Sequence, residues 1–473
     1  MEILFYTSLL APLLLALGAI FTSKDFARKY LQINRFAYLI LAILAVFFYI
    51  KGITIDTTFF TLDKINIVFY SIIFLLSFLI SAYAVSYFGT EIDHKEIGRG
   101  RLKQYNMMIN FFILSMLFVA ISKNLMVMWI ALEATTIFTT FLISFYGTKS
   151  SWEAAWKYVI LCGIGVTIGL LGLFMMMMAG IHNLDFTTIT KEVAINKNLL
   201  ELAFVFILVG FGTKVGFFPL NSWLPDAHGK GSTPISAFMS SILLPLAFYM
   251  IIRSQAIIDF HLNSDFTSKM MLFFALVTIV YSGFVMIIQH HYKRALAYSS
   301  SENMGIIAFS WALGGLGAPL AQMFSLLHVV GHSFLKTASF MSAGNILLHT
   351  HTGQFDKIKN ISKYMRNSSI LLVISLFMLV GLPPSPLFIS ELGIIWQAYI
   401  INPYYALAFV VGIVLAFSGL LYNFSGMFAS KDDVADLKKI DKDFKIGCMH
   451  MPIIMALVLA ILVAVVFVLN FKF

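Results

Sequence analysis

The sequence predicts an all-α polytopic membrane protein with about 14 transmembrane helices, two inverted five-helix repeats, and broken helices at spans 7 and 12. The composition is the first observation: 60% of the 473 residues are hydrophobic and 12% are charged, whereas soluble domains carry about 25% charged residues. Secondly, the apolar residues form runs of about 17–25 residues, the length that spans a bilayer as a helix. Thirdly, two of these runs are interrupted by prolines beside a single ionisable residue.

Fourteen apolar segments follow one another, and no loop between them is long enough for a soluble domain. The first segment has no basic region before it, which indicates a first span rather than a cleaved signal peptide. The predicted spans are 3–22, 36–50, 65–88, 106–122, 124–146, 156–180, 200–222, 233–252, 269–289, 295–315, 318–348, 369–399, 404–428 and 451–471.

Lysine and arginine are distributed unequally between the loops. Of 32 such residues, 22 lie in loops that follow odd-numbered spans and 8 lie in the loops and termini of the other side. The positive-inside rule therefore predicts cytoplasmic odd-numbered loops, both termini outside, and a location in the cytoplasmic membrane. The net charge of +9 belongs to these short loops, so it does not indicate nucleic-acid binding.

Cofactor-binding patterns are absent from the sequence. Its two cysteines, Cys162 and Cys448, cannot supply a disulfide framework or a CxxC metal site. There is no Walker A loop, no GxGxxG motif after a strand, and no iron–sulfur cysteine set. We therefore expect no cofactor in this chain, and any redox chemistry would belong to partner subunits.

The first interrupted span is read LAFVFILVGFGTKVGFFPLNSWLPDAH, from Leu202 to His228. Proline removes a backbone donor and clashes with the preceding turn, so Pro219 and Pro225 predict a helix that breaks just past Lys214. Broken backbone at bilayer depth occurs only inside protein or beside a wet cavity. An ammonium at that position indicates a functional site; the alternative is a lysine that extends to the interface from a helix end.

The second interrupted span is read LVGLPPSPLFISELGIIWQ, and Glu391 follows its prolines. The two interrupted spans are five positions apart, so they are predicted to cross the membrane in opposite directions. Paired broken helices in corresponding halves indicate inverted repeats with a site near the midplane. We therefore divide the chain into an N-terminal three-helix segment (1–105), two inverted repeats (106–253 and 254–430), and a cytoplasmic loop with the last span (431–473).

Other ionisable residues inside the spans are few. Glu133 stands alone in span 5 and must be protonated or paired; its candidate partner is Lys214, and the alternative is a neutral acid bonded to nearby threonines. His328, His332 and Lys336 in span 11 share one helical face because they are four residues apart, which suits a proton relay. A metal or haem site and satisfied core histidines are the competing interpretations.

Glu302, early in span 10, is either a surface carboxylate beside Lys293 and Arg294 or a group at the start of the relay.

Four motifs carry a family resemblance: TKVGFFPLNSWLPDAH, GSTPISA, KRALAYSS and HVVGHSFLKTASFMSAGN. They resemble the antiporter-like subunits of respiratory complex I, of multisubunit cation/proton antiporters and of group 4 membrane-bound nickel–iron hydrogenases, from about residue 65 to 430. The resemblance implies a fourteen-helix fold with two inverted repeats. It also implies that Glu133 and Lys214 form a gating pair. The proton-pathway residues that it implies are Glu133 and Lys214 in the first repeat and His328, His332, Lys336 and Glu391 in the second.

Within this family, three stretches are most similar to the F subunit of hydrogenase-4 and of formate hydrogenlyases: LEATTIFTTFLISFYG, WEAAWKYVILCGIGVTIGLLG and AYSSSENMGIIAF. An acid at the Glu302 position is usual there. Span 8 departs from complex I relatives because it lacks a histidine or lysine, and Asn303 departs from hydrogenase relatives, which often carry histidine.

The resulting hypothesis is a subunit that moves protons, or Na+, within a redox-driven complex, beside other membrane subunits and peripheral cytoplasmic redox subunits. Three alternatives stand beside it. They are a subunit of complex I or of a multisubunit antiporter, the membrane half of an inorganic-carbon uptake pair, and a scaffold that transports nothing.

Overall fold

A computed structural model of the chain describes residues 1–189, 195–429 and 447–470, most of which are helical. A short antiparallel hairpin, β1 (Ile55–Asp56) with β2 (Thr61–Leu62), follows the second helix. The α-helices are α1 (Glu2–Phe21), α2 (Ala27–Ile50), α3 (Asn66–Asp93), α4 (Arg99–Ile121), α5 (Leu125–Ile143), α6 (Lys149–Met178), α7 (Lys197–Val215), α8 (Trp223–Lys230), α9 (Thr233–Phe238), α10 (Leu244–Leu262), α11 (Phe266–Ile287), α12 (Tyr292–Gly315), α13 (Leu320–Thr350), α14 (Ile361–Tyr364), α15 (Arg366–Leu379), α16 (Pro386–Ile401), α17 (Pro403–Ala429) and α18 (Gly447–Asn470).

Each of the fourteen predicted spans coincides with helical structure. Within the described ranges, eleven helical stretches are long and apolar enough to cross a membrane. Of the rest, α12 and α13 are long but rich in polar side chains, and span 12 consists of the shorter helices α15 and α16. The predicted fold class, an all-helical polytopic membrane protein, is confirmed.

Several helices begin before the spans predicted from hydropathy. Helix α2 begins at Ala27 rather than residue 36, and α6 begins at Lys149 rather than 156. A hydropathy window detects the apolar part of a helix only, whereas the backbone hydrogen bonds continue through the polar turns at the membrane surface. The predicted loop at 429–450 falls largely on residues 430–446, outside the described chain.

The chain forms two compact units. The first comprises residues 1–216, 230–235 and 242–270; the second comprises 217–229, 236–241 and the described residues from 271 onward. A π-helical turn, Met239–Leu243, joins α9 to α10.

Glycines bring α6 and α7 of the first unit together. A Cβ atom on Gly210 of α7 would overlap the backbone of Gly169, and one on Gly165 would lie 2.6 Å from Cβ of Thr213. Small residues at helix crossings allow close approach of backbones in a membrane. This crossing lies one turn before Lys214, so it positions the end of α7 beside its neighbours.

Helix α13 is the centre of the second unit. It packs against α12, α15, α16 and α18. Nearly all residues of its middle, from Phe334 to Ile346, are buried. Polar groups on every side of this helix therefore face other helices rather than lipid.

Both broken helices are present, as predicted. Helix α7 ends at Val215, and Gly216 follows with a φ of 90°, a left-handed conformation that glycine adopts without strain. Residues 217–222 are not helical before α8 begins. Likewise, α15 ends at Leu379, Gly381 has a φ of 73°, and α16 begins at Pro386 after a serine cap.

Candidate functional site

Lys214 lies in the last turn of α7, and its side chain is 0% exposed. Its Nζ donates hydrogen bonds to Leu132 O at 2.7 Å, to Thr135 Oγ1 at 2.6 Å and to Thr136 Oγ1 at 2.6 Å. A lysine ammonium has three donors, so each has an acceptor here. We call Lys214 and these three acceptor groups of α5 the Lys214 cluster.

The threonines of this cluster are oriented by their own helix. Thr135 Oγ1 donates back to Leu132 O at 2.6 Å, so its lone pairs are free to accept from the lysine. Threonine hydroxyls commonly bond a carbonyl one turn earlier in a helix. The cluster therefore holds a positive charge on neutral oxygen atoms in a buried site.

Glu133 is on the same turn of α5, and its Oε2 is buried without a hydrogen-bond partner within the described structure. Among the ion pairs of the described residues, none joins Glu133 to Lys214. The family resemblance implies a pair, but the lysine is bonded to the threonines instead. Glu133 still interacts with Lys214 electrostatically, as does the buried thiol of Cys162 on α6.

Lys336 on α13 is also 0% exposed and is held in the same way. Its Nζ donates to Leu296 O at 2.9 Å and to Ser299 Oγ, both on α12. In each unit, a buried lysine ammonium therefore donates hydrogen bonds to a leucine carbonyl and to the hydroxyl group three residues later. The sequence pattern is L-x-x-T in span 5 and L-x-x-S in span 10. Those spans are the second helices of the two predicted repeats.

The three titratable residues predicted on one face of span 11 are all buried on α13, but they have different partners. Nδ1 of His328 lies 2.8 Å from Ser390 Oγ of α16. The Nε2 atom of His332 lies 3.2 Å from Ser240 O, in the π-helical turn. Within the described hydrogen bonds, none joins these side chains directly.

A line of hydrogen bonds connects α12 to α16 through α13. Asn303 Nδ2 donates to Glu302 Oε2 at 2.5 Å, and Asn303 Oδ1 lies 3.1 Å from His328 Nε2. Ser390 continues the line on the far side of His328. Glu302 is 5% exposed and interacts electrostatically with Lys336.

Glu391 follows Ser390 in α16, at the second helix break. Its carboxyl group packs against Gly381, where a side chain would overlap it. Glu391 is 8% exposed. The break therefore places a buried carboxyl group directly against unwound backbone, as predicted for span 12.

Two features of the site were missed from the sequence. One is the π-helical turn, where Ser240 O receives His332 and Ser241 O receives the hydroxyl of Ser333 at 2.6 Å. A π turn shifts the helical hydrogen-bond pattern and is common at functional sites. The other is His228 of α8, a buried imidazole stacked on Phe340, with ring centroids 5.1 Å apart.

A metal site was the competing interpretation for the histidines of α13. Within the described ranges, no group of three or more His, Cys, Asp or Glu side chains is arranged to hold a metal ion. His328 and His332, the pair considered as metal or haem ligands, bond to Ser390, Asn303 and Ser240 O instead.

These observations define a class of protein: an antiporter-like, multi-pass membrane subunit with broken helices and buried lysines. Residues 122–416 match the family described as NADH:quinone oxidoreductase/Mrp antiporter, transmembrane. The chain belongs to this family. All seven predicted site residues fall within the matched region.

Its relatives include the hydrogenase-4 component F homolog of Methylacidiphilum infernorum, 32% identical over 375 residues, with 77% of this chain and 78% of the relative covered. The NAD(P)H-quinone oxidoreductase chain 4 of Prochlorococcus marinus is 27% identical over 352 residues, with 70% of this chain covered. The match covers 64% of the length of that second relative.

Solved structures with the same fold come from three membrane complexes. A chain of the archaeal membrane-bound sulfane sulfur reductase matches with a TM-score of 0.82 and 20% identity, covering 98% of this chain and 94% of that one. A chain of the Mrp complex from Dietzia sp. matches with a TM-score of 0.82 and 16% identity, covering 98% and 93%. A chain of complex I from Thermus thermophilus matches with a TM-score of 0.77 and 16% identity, covering 97% of this chain and 96% of that one.

Proposed function

We propose that this chain translocates protons across the cytoplasmic membrane as an integral subunit of a redox-driven complex. One observation carries the proposal: in each unit, a fully buried lysine is held by neutral oxygen atoms of an L-x-x-T or L-x-x-S turn. An intramembrane ionisable residue is expensive to bury and indicates a transport function by default. Proton carriers need such sites because they must hold a charge without an ion pair that would fix it.

We propose that a nearby charge controls the proton on Lys214. Because the ammonium is satisfied by Leu132 O and two threonine hydroxyls, Glu133 is not needed to hold it and can change its own charge or position. A unit charge change at ~8 Å is worth about 2 kcal/mol at an effective dielectric of 20. That corresponds to a shift of about 30-fold in a proton-transfer equilibrium, enough for one step.

The proposed pathway uses the predicted residues of both units. Glu133 and Lys214 belong to the first unit, and Lys336, Glu302, His328, His332 and Glu391 to the second. We propose that each of the two predicted repeats, residues 106–253 and 254–430, carries its own group of proton-pathway residues. The matching lysine acceptors in spans 5 and 10 support this assignment.

Two branches of the family fit the chain. We favour a hydrogenase-4-type membrane-bound hydrogenase, because the relative described as a hydrogenase-4 component F homolog is 32% identical. A complex I-type quinone oxidoreductase is the second candidate, supported by relatives of that description at 26–29% identity. In either complex, we propose that peripheral cytoplasmic subunits carry the redox centres, that this chain holds no cofactor, and that both termini face outward.

Proton uptake by inverted membrane vesicles that contain the intact complex tests the function. Redox turnover is recorded in the same sample, and native protein is compared with Lys214→Ala and Glu133→Gln. We expect both variants to lose proton uptake while the complex still assembles. Unchanged uptake in both would show that these residues are structural, and loss of assembly in both would favour the scaffold alternative.

The branch is tested by the subunits that copurify with the chain. Hydrogenase large and small subunits would support the hydrogenase assignment, and NADH- or ferredoxin-oxidising subunits would support the second candidate. A single large zinc protein as the partner would contradict both and favour inorganic-carbon uptake. Measuring Na+ uptake beside H+ uptake in the same vesicles identifies the transported ion.

A further inference from the structure

The side-chain amide of Asn303 has one orientation that its surroundings allow. Its Nδ2 donates to Ser299 O at 2.8 Å and to Glu302 Oε2 at 2.5 Å. A flipped amide would place Oδ1 against the Ser299 carbonyl oxygen, so that two acceptors would face each other. Asn303 is buried, so water does not compensate for such a mismatch. Its oxygen therefore faces His328, 3.1 Å from Nε2.

This orientation decides which nitrogen of His328 carries a proton. Because Oδ1 of Asn303 can only accept, Nε2 of His328 must donate. An amide oxygen is a very weak base, so the proton on Nε2 has no group on Asn303 to which it can move. His328 must therefore exchange protons at Nδ1, which lies 2.8 Å from Ser390 Oγ.

Ser390 can follow His328 in both of its charge states. Its Oγ also lies 2.9 Å from Leu387 O of its own helix. When His328 is neutral, the Ser390 hydroxyl donates to Nδ1. When Nδ1 takes up a proton, the hydroxyl turns to Leu387 O and accepts the new N–H. A rotation of one hydroxyl therefore keeps every polar atom paired.

We propose that Asn303 is a positioning residue: it holds His328 as the Nε2–H tautomer and directs its proton exchange toward Ser390 of α16, away from Glu302. In this exchange the O–H bond of Ser390 breaks as an N–H bond forms at Nδ1, and Ser390 Oγ takes up a proton from a water or a carboxylic acid on the α16 side. Of the other titratable groups on α13, Lys336 keeps its own acceptors on α12, and His332 Nε2 faces Ser240 O.

The line of hydrogen bonds from Glu302 to Ser390 is therefore continuous, but a proton cannot cross it at Asn303. Glu302 lies on one side of Asn303, and His328 and Ser390 lie on the other. This inference rests on the proposed function, because the direction of exchange matters only if protons pass along α13.

The tautomer is measured by nitrogen-15 solid-state NMR on the full chain in lipid, with labelled histidine. The His328 signals are assigned by their loss in His328→Gln. We expect a proton on Nε2 in the native protein and loss of that preference in Asn303→Leu. A bare Nε2 in the native protein, or an unchanged tautomer in Asn303→Leu, would overturn the proposal.

Proton uptake by vesicles with the intact complex measures the consequence. Asn303→Leu and Ser390→Ala should each slow uptake by about tenfold or more, the effect of losing one hydrogen bond to a charged group. Ser375→Ala is the matched control, because that buried hydroxyl donates to Leu372 O of its own helix, α15. Unchanged uptake in Asn303→Leu despite an altered tautomer would refute the directing role.

The two measurements separate the failure of this inference from failure of the proposed function. If the native complex moves no protons, the proposed function is wrong, and the tautomer experiment still judges the role of Asn303. If the native complex moves protons and Asn303→Leu changes neither tautomer nor rate, only the inference about Asn303 is wrong.

Discussion

The hydroxyl groups that hold Lys214 can be removed without changing the shape of α5. Threonine and valine have nearly the same size and the same branching at Cβ. The double variant Thr135→Val/Thr136→Val therefore removes two of the three acceptors of the ammonium and leaves Leu132 O. Glu133 and Lys214 are both retained, so any effect belongs to the hydroxyls.

The magnitude follows from the hydrogen bonds that are lost. A hydrogen bond to a charged group contributes about 1.5–3 kcal/mol, so two contribute about 3–6 kcal/mol to the protonated form of Lys214. Losing them would lower the ratio of protonated to neutral Lys214 by about 10²- to 10⁴-fold. A change of that size disturbs each proton transfer to and from Lys214, so we expect loss of proton translocation through the first unit.

The assay is the number of protons moved per pair of electrons in vesicles that contain the intact complex. Thr135→Ser/Thr136→Ser keeps both acceptors and should behave as the native protein does. Thr140→Val is a second control, because the hydroxyl of Thr140 donates to Thr136 O, one turn from the lysine. A valine double variant with the native proton ratio would refute the argument that neutral oxygens hold the charge of Lys214.

Two further predictions concern packing and the second lysine. Gly210→Ala should separate α6 from α7 and destabilise the chain by about 1–3 kcal/mol, which would lower its melting temperature in detergent. Gly426→Ala is the control and should leave the melting temperature unchanged, because nothing lies within 4 Å of the added Cβ. Ser299→Ala should lower proton translocation through the loss of a Lys336 acceptor, and Ser339→Ala, whose hydroxyl donates to its own helix α13, should not; equal rates in both would contradict the role of Ser299.

The fold was predictable because its signals are local. Long apolar runs require helices in a bilayer, and prolines next to Gly216 and Gly381 require those helices to break. Hydropathy missed only the polar turns, such as the first turns of α2 and α6. The two-repeat organisation was predicted from the paired helix breaks and the ionisable residues beside them, and the family resemblance implies the same organisation.

The site was predictable at the level of residue types but not of partners. Buried lysines and acids are rare enough in spans to stand out, whereas Thr135, Thr136 and Ser299 resemble any other polar residue in a helix. Their role depends on which helix packs against them. The pairing of Lys214 with these hydroxyls, rather than with Glu133, could not be read from spacing.

The role of Asn303 also depends on contacts that the sequence does not show. In the sequence, it stands out only as a departure from hydrogenase relatives, which often carry histidine at that position. In the structure, it bridges Glu302 and His328 and orients the histidine. The π-helical turn at 239–243 has a signal that the sequence analysis did not use: Pro245 follows it in the first turn of α10 and has no N–H to donate to the carbonyl of Ser241.

The central claim is that the two buried lysines carry protons. It is tested most directly by the ratio of protons moved to electrons transferred, in vesicles that contain the intact complex, for Lys214→Gln and Lys336→Gln against Lys157→Gln. Lys157 is a half-exposed lysine of α6 paired with Glu153 and serves as the control. We expect the ratio to fall in both buried-lysine variants and to stay native in Lys157→Gln. An unchanged ratio in both buried-lysine variants of an assembled complex would show that these lysines do not carry protons.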